Sequence, residues 1–157
     1  SIRRVVCASP SYLKMHGTPR STDELSGHLL LAYRRPRNGR VREWRFCVGS
    51  TIQNMAVNGY MTFNSGEALV AAATAGLGII QVAEYYVKDE LKNGTLVEIL
   101  PAFSFEGHII YAVFSQQQSV PRKARVFVDF LVSLFNRPPW TNRASITAGA
   151  GPNMLRV

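Results

Sequence analysis

Three histidines (His16, His28 and His108), two cysteines (Cys7 and Cys47) and scattered serines and carboxylates are what this chain of 157 residues could use for chemistry. A metal site needs His, Cys or carboxylate ligands at spacings that converge on one ion. Each histidine here stands near a turn or strand edge, and no HxxxH or CxxC occurs, so no metal is expected. Ser9 and Ser65 lie outside any Gly-x-Ser-x-Gly elbow. Gly76-Leu77-Gly78 lacks the third glycine of a dinucleotide fingerprint and closes a helix instead of opening one. Glu67 and Glu84 could pair as acid and base, but capping and surface charge account for them more simply. The reading is therefore of a protein without enzymatic activity or cofactor.

Charge points to ligands of one sign. The net charge is +8, from 18 Lys+Arg against 10 Asp+Glu, and arginines crowd at positions 34, 35, 37, 40, 42 and 45. An excess of this kind attracts anions and nucleic acid. No aromatic residues interleave with these arginines as base stacking would require. The simplest account is a solvated loop and a strand edge guarded by charge, with attraction of an anionic ligand next and direct DNA contact last. The two cysteines sit in apolar surroundings and read as buried free thiols of a cytosolic protein.

Helix starts offer a second handle on anions. In α/β sheets, ligands gather off the carboxyl ends of strands, where helix N-termini present unpaired N–H groups. Two junctions fit: Ala8-Ser9-Pro10, and Phe63-Asn64-Ser65-Gly66. Each couples a strand end to a helix start through a hydroxyl or amide side chain.

The elements that must position these junctions follow from periodicity and turn chemistry. With 46% hydrophobic and 18% charged residues, the chain can fold into one domain and is not disordered. No apolar run reaches the ~20 residues of a membrane span. Arg4–Ala8 reads as a buried strand, followed by a short helix capped by Ser9, begun by Pro10 and closed by Gly17. A second short helix opens at Ser21 or Thr22 and ends at Gly27, before a strand over His28–Tyr33. Asn38-Gly39 signals a hairpin turn, and Glu43–Val48 alternates as a strand. Met55–Phe63 reads as a further strand with Gly59 as a possible bulge.

Asn64-Ser65-Gly66-Glu67 has the form of a capping box, with Asn64 as the cap and Glu67 reaching back. The helix runs to about Ala75, and its small residues Ala72, Ala73 and Gly76 predict close packing on a sheet. Gly76 and Gly78 stop it, and Ile79–Val82 is a strand. The strand–helix–strand unit predicts parallel pairing. A helix over Glu84–Lys92, a strand over Thr95–Leu100 and a strand over Ile109–Phe114 follow. A long helix runs from Pro121 to about Phe135, with Phe127, Leu131 and Leu134 as its apolar stripe and Ala124 beside them. Beyond it the chain is aperiodic and reads as a flexible tail.

The order of these pieces resembles the effector-binding domain of LysR-type transcriptional regulators. Val6-Cys7-Ala8-Ser9-Pro10-Ser11-Tyr12-Leu13 with His16-Gly17-Thr18-Pro19 is similar to the family's "ASPxYL…hGxP" entry. Leu25 with His28-Leu29-Leu30, and Trp44-Arg45-Phe46, resemble later segments. Asn64-Ser65-Gly66-Glu67-Ala68-Leu69 and Ala73-x-x-Gly76-Leu77-Gly78-Ile79 resemble its core. Tyr111–Phe114 and Pro121–Leu131 resemble its closing segment. The likeness covers about residues 3 to 136.

The resemblance implies an α/β, periplasmic-binding-protein-like (type 2) effector domain. Residues 3–108 would be the second lobe, a mixed sheet with flanking helices. Residues 109–136 would be the crossover strand and returning helix of the other lobe, and 137–157 the tail. The chain would be a truncated fragment, without the DNA-binding domain and the opening part of the first lobe. Carried over residue by residue, the effector site would comprise Ser9, Asn64, Ser65 and Gly66, with Ile79 and Ile80 as apolar walls. The effector would be a small, anionic molecule, plausibly a carboxylate. The implied protein is a cytoplasmic bacterial regulator, a homo-oligomer (a dimer), that meets DNA only through a domain this chain lacks and has no membrane partner. Competing readings are a periplasmic-type solute-binding protein and a basic nucleic-acid-binding domain acting through Arg34–Arg45.

Overall fold

Strand β1, Ile2–Ala8, occupies the middle of the sheet because both of its faces are apolar. Successive residues of a strand point to opposite faces. Val6 and Ala8 therefore join one buried cluster with Tyr12, Leu25, Trp44, Phe46 and Ile79. Val5 and Cys7 join the other, with Leu69, Ala72, Ala73, Ile80, Val82 and Leu96. The computed structural model describes residues 2–108, 111–113, 122–135 and 154–156.

The elements follow in chain order. Helix α1 is Pro10–His16, and a 3-10 turn spans Asp23–Gly27. Strands β2 (Leu31–Tyr33), β3 (Trp44–Val48), β4 (Thr51–Met55) and β5 (Met61–Phe63) come next. Then come α2 (Gly66–Thr74), β6 (Ile80–Ala83), a 3-10 turn (Glu84–Tyr86), α3 (Lys88–Asn93) and β7 (Val97–Ile99). A 3-10 turn at Pro101–Phe103 leads into β8 (Phe105–His108), followed by β9 (Tyr111–Val113), α4 (Arg122–Phe135) and β10 (Met154–Arg156).

Arg3–Glu106 forms one compact unit, and the other described residues belong to a second. In the first unit β1 lies between β6 and β7, antiparallel to both. β2 pairs with β5 in parallel, and a parallel bridge between Leu30 and Ile79 joins β2 to the start of β6. The resulting order is β5-β2-β6-β1-β7. The parallel relation expected across α2 is present, but β5 and β6 are not neighbours, since β2 lies between them.

Local capping explains where the helices begin and end. The Ser9 hydroxyl accepts a hydrogen bond from the Tyr12 amide at 3.2 Å, and Pro10 occupies the first helical position. At the end of α2, the Leu77 amide bonds to the Ala72 carbonyl and the Gly76 amide to that of Ala73. This is a Schellman stop, and Gly76 adopts the φ of +84° that it requires. Gly78 serves close approach: a Cβ there would sit 2.3 Å from the Leu29 carbonyl oxygen.

Several expectations need correction. The stretch Met55–Phe63 is not one strand: Met55 ends β4, and Met61–Phe63 is β5. The chain changes partner between them, because β4 pairs with β3 and β5 with β2. Gly59 is no bulge; its bare α-carbon faces Ala32, whose Cβ would lie 2.4 Å from an added one. The true hairpin is β3–β4, turning at Gly49 with φ of +62°, while the Asn38-Gly39 loop closes on a single bridge, Arg34 to Val41. The expected helix over Glu84–Lys92 is a 3-10 turn followed by α3.

In the second unit, α4 buries Val128 and exposes Phe127, so the apolar stripe is rotated from its expected line. β9 pairs with β10, so Met154–Arg156 has strand structure where an aperiodic tail was expected. The expected strand ends at Ile109, Ile110 and Phe114, and the rest of the 137–157 tail, lie outside the described residues.

Two outcomes follow for the first unit. Gly78→Ala should cost about 2–3 kcal/mol, because the new methyl must push the Leu29 carbonyl away. Gly17→Ala meets open space but has φ of +83° with ψ of 170°, a region essentially reserved for glycine, so it should cost about 1–3 kcal/mol from backbone strain alone. Urea unfolding of both variants measures the difference. The second outcome concerns acid. The Tyr12 hydroxyl accepts from the Leu29 amide at 2.9 Å and lies 3.2 Å from His28 Nδ1, so the phenol proton goes to an unprotonated ring. Burial first, and the charge of His16 second, lower the His28 pKa from 6.5. A lowered folded pKa means the unfolded chain takes up the proton first, so this contribution is full above 6.5 and fades as pH falls. Urea midpoints should drop between about pH 7.5 and pH 5.5, and His28→Gln should flatten that slope.

Candidate functional site

Strand direction decides which of the expected site residues can meet. β1 runs against β6, with Cys7 opposite Ile80 and Arg4 opposite Ala83. The carboxyl end of β1, and with it Ser9, therefore lies at the amino end of β6. The carboxyl ends of β2 and β5, and with them Asn64, Ser65 and Gly66, lie at the other end of the sheet. Helix α2 separates the two ends; its nine residues span about 13 Å at 1.5 Å per residue. The six expected residues thus fall into two groups and do not form one site.

The first group is structural in character. Ser9 is 2% exposed, caps α1 and shares a 2.9 Å hydrogen bond with Ser11. The Ser9 and Ser11 hydroxyls would lie 3.6 and 3.2 Å from a Cβ at Gly76, so this junction is packed against the stop of α2. Ile79 and Ile80 are fully buried in the two clusters on opposite sides of the sheet. Neither presents a wall to solvent.

The second group is accessible. Asn64 is exposed and Ser65 half-buried. Ser65, not Asn64, is the cap of α2: its hydroxyl accepts from the Ala68 amide at 3.2 Å and donates to Glu67 Oε2 at 2.7 Å. Glu67 therefore binds the cap hydroxyl, which lowers its carboxyl pKa. Asn64 is one residue too early to accept from the first-turn amides, which corrects the expected box. Gly66 is buried under the Tyr86 ring, where a Cβ would come within 2.6 Å of Cε1.

Residues outside the expected effector site gather at this same end. Arg42 places its guanidinium over the Tyr33 ring, 4.8 Å from the centroid, and its amide bonds to the Tyr33 carbonyl at 2.8 Å. Arg4 on β1 is 3% exposed. Burial, then repulsion by Arg42, Arg45 and Arg35, lowers its pKa to about 10. Tyr85 and Tyr86 lie ring to ring at 4.6 Å. The arginine cluster was visible in the sequence, but its pairing with tyrosines was not, since Tyr33 and Tyr85 are 52 positions apart.

Glu67 stays on the cap of α2 at this end, while Glu84 and Glu98 are held by Arg3. Glu84, a candidate acid or base, meets Arg3 at 2.8 Å, and the same guanidinium meets Glu98 at 2.6 Å. The hydrogen bond from Arg3 to Glu84, with help from Glu98, raises the arginine's pKa despite partial burial. This clamp ties β1, the turn after β6 and β7 together. Behind Tyr86, a groove of about 520 Å³ runs along α2 past Val70 and Thr74, between Glu67 and Glu90. Two carboxylates on its rim suit it poorly to an anion. Burial pushes the Cys7 thiol up to about 12, which makes it a poor nucleophile. Among the described residues, no three His, Cys, Asp or Glu side chains converge as a metal site.

Comparison with known proteins places this geometry in context. Residues 1–136 match the LysR substrate binding domain. An uncharacterized HTH-type transcriptional regulator, YhjC of Escherichia coli (strain K12), is 36% identical over 132 residues, covering 83% of this chain and 44% of the relative. The HTH-type transcriptional regulator CrgA of Neisseria meningitidis serogroup B (strain ATCC BAA-335 / MC58) is 34% identical over 128 residues, 81% of this chain and 42% of the relative. The solved structure of CrgA, described as a LysR-type transcriptional regulator from Neisseria meningitidis, superposes with a TM-score of 0.68 at 32% identity, over 84% of this chain and 44% of that one. The chain thus spans less than half the length of these relatives.

Proposed function

The chain belongs to the family of LysR substrate-binding domains, and on that premise we propose that it is the effector-sensing part of a DNA-binding transcriptional regulator. Its fold is the α/β, type 2 periplasmic-binding-protein-like class, with the mixed sheet described above. The relatives are named as transcriptional regulators and not as enzymes, which favours this reading over a transported-solute receptor. Residues 3–108 correspond in this reading to the second lobe, and residues 109–136 to the crossover strand and returning helix of the first. DNA binding belongs to a domain outside this chain, in a cytoplasmic protein. Among the described residues no helix is long and apolar enough to cross a membrane.

One observation carries the proposed site. The accessible cap Ser65 and the N-terminus of α2 stand off the carboxyl ends of the parallel pair β2–β5, where free N–H groups and the helix dipole favour a polar or anionic effector. Asn64, Ser65 and the Gly66 backbone are the proposed contacts. Ser9, Ile79 and Ile80 hold the sheet on which these stand. An effector that binds one arrangement of the lobes better than another shifts the population toward it, and DNA affinity follows.

The reading is tested by a thermal-shift screen of small polar molecules, followed by titration of any that stabilise the chain. Ser65→Ala should weaken such a ligand about tenfold, about 1.4 kcal/mol, and cost about 1 kcal/mol of stability. Ser9→Ala should cost stability and leave ligand affinity unchanged; the reverse pattern would refute the assignment.

Self-association is also proposed. Val126, Phe127 and Phe130 of α4 are 61%, 60% and 59% exposed, an apolar surface that favours association. Light scattering should report a dimer of this chain, and a monomer at high concentration would rule that out.

A further inference from the structure

Arg42 differs from the other arginines of its loop in what it contacts. Arg34 donates to the Gly39 carbonyl at 2.9 Å, and this stretch closes on itself in solvent. Arg42 is instead half-buried, with its guanidinium carbon over the Tyr33 ring. A ring under a guanidinium attracts its charge without taking up its N–H groups in ordinary hydrogen bonds, so those donors stay available. Among the described residues, no carboxylate lies within ion-pair distance of Arg42 and its side chain makes no hydrogen bond. Burial first, and repulsion by Arg35 second, disfavour its charge, lowering its pKa.

Cations predominate around Arg42, with the Glu67 carboxylate standing at the start of α2. Arg4 lies buried on β1 and feels the charges of Arg42, Arg45 and Arg35. The Tyr86 ring covers Gly66 at the start of α2, and the charges of Glu67 and Arg42 both reach it. Tyr85 and Tyr86 are 45% and 36% exposed, which leaves aromatic surface beside the cations. A planar anion satisfies both requirements at once. Its charge meets the free fork in two parallel N–H···O bonds, and its flat body covers the rings.

We propose that the effector is a small planar carboxylate and that Arg42 is the residue that selects it. This rests on the reading of the Ser65 end as the effector site. A single guanidinium fork meets a carboxylate in two parallel N–H···O bonds, and the exposed rings of Tyr85 and Tyr86 favour an acid with a flat apolar body over inorganic phosphate.

Isothermal titration with sodium benzoate, benzamide and inorganic phosphate tests it on the whole chain and on Arg42→Gln and Arg42→Lys. Benzoate should bind the parent chain about tenfold or more tightly than its neutral isostere benzamide. Arg42→Gln should lose about tenfold or more for benzoate and leave benzamide unchanged. Arg42→Lys should recover only part of the loss, since an ammonium is a point charge and not a fork. Absence of benzoate binding at about 10 mM, equal benzoate affinity in the parent and Arg42→Gln chains, or tighter binding of phosphate than of benzoate each overturns the proposal. If Arg42→Gln does not fold, unchanged benzoate affinity in Arg42→Lys overturns it. A neutral ligand that needs Ser65, found together with any of these failures, would leave the effector reading standing and remove only the carboxylate.

Discussion

Two hydrogen bonds, Leu31 amide to Ile79 carbonyl at 2.9 Å and Ile79 amide to Leu29 carbonyl at 2.8 Å, join the β2–β5 pair to the rest of the sheet. They form because position 78 carries no side chain to hold the strands apart. Through that seam the parallel pair meets β6, and β6 in turn meets β1. Once the seam is closed, α2 must cross over β2, and its small face of Ala72 and Ala73 is what allows it to lie close. The two buried clusters are then two sides of one sheet, divided by the alternation of β1 and β6.

The same arrangement sets the electrostatics of the two sheet ends. At the Ser9 end, the buried Ser9 hydroxyl and that of Ser11 pack against the stop of α2. At the Ser65 end, cations come together with aromatic rings. Arg3 takes up Glu84 and Glu98, so these carboxylates are spent on holding strands together. Arg42 is stabilised by a π face, which softens the cost of partial burial without consuming its hydrogen-bonding edge. The division is physical: one arginine serves the fold and another stays available to a ligand.

Much of the fold was legible because its signals are local. A capping hydroxyl acts three residues ahead, and a stop glycine acts on carbonyls three and four residues back. Ser9, Pro10, Gly17, Gly76 and Gly94 could therefore be read directly. The choice between Asn64 and Ser65 as cap was harder, because both side chains can accept and only the backbone at position 65 settles which one reaches the Ala68 amide. The break between β4 and β5 was not legible. Met55–Phe63 is continuously compatible with extended chain, and what divides it is the presence of two different partners. Phe127 misled for a similar reason: helical spacing defines a stripe, but the neighbour decides which flank of it is covered.

The sequence by itself determined the kinds of elements, their caps and stops, the alternation of β1 and the family likeness, all of which rest on residues near one another in the chain. Tertiary structure alone decided that β1 runs against β6, because strand direction is set by hydrogen bonds between residues some 75 positions apart, such as Cys7 and Ile80. That one reversal sent Ser9 and Ser65 to opposite ends of the sheet. It also brought Arg4, Tyr33, Arg42 and Tyr85 to the end where Ser65 stands, a meeting of side chains that no local spacing encodes.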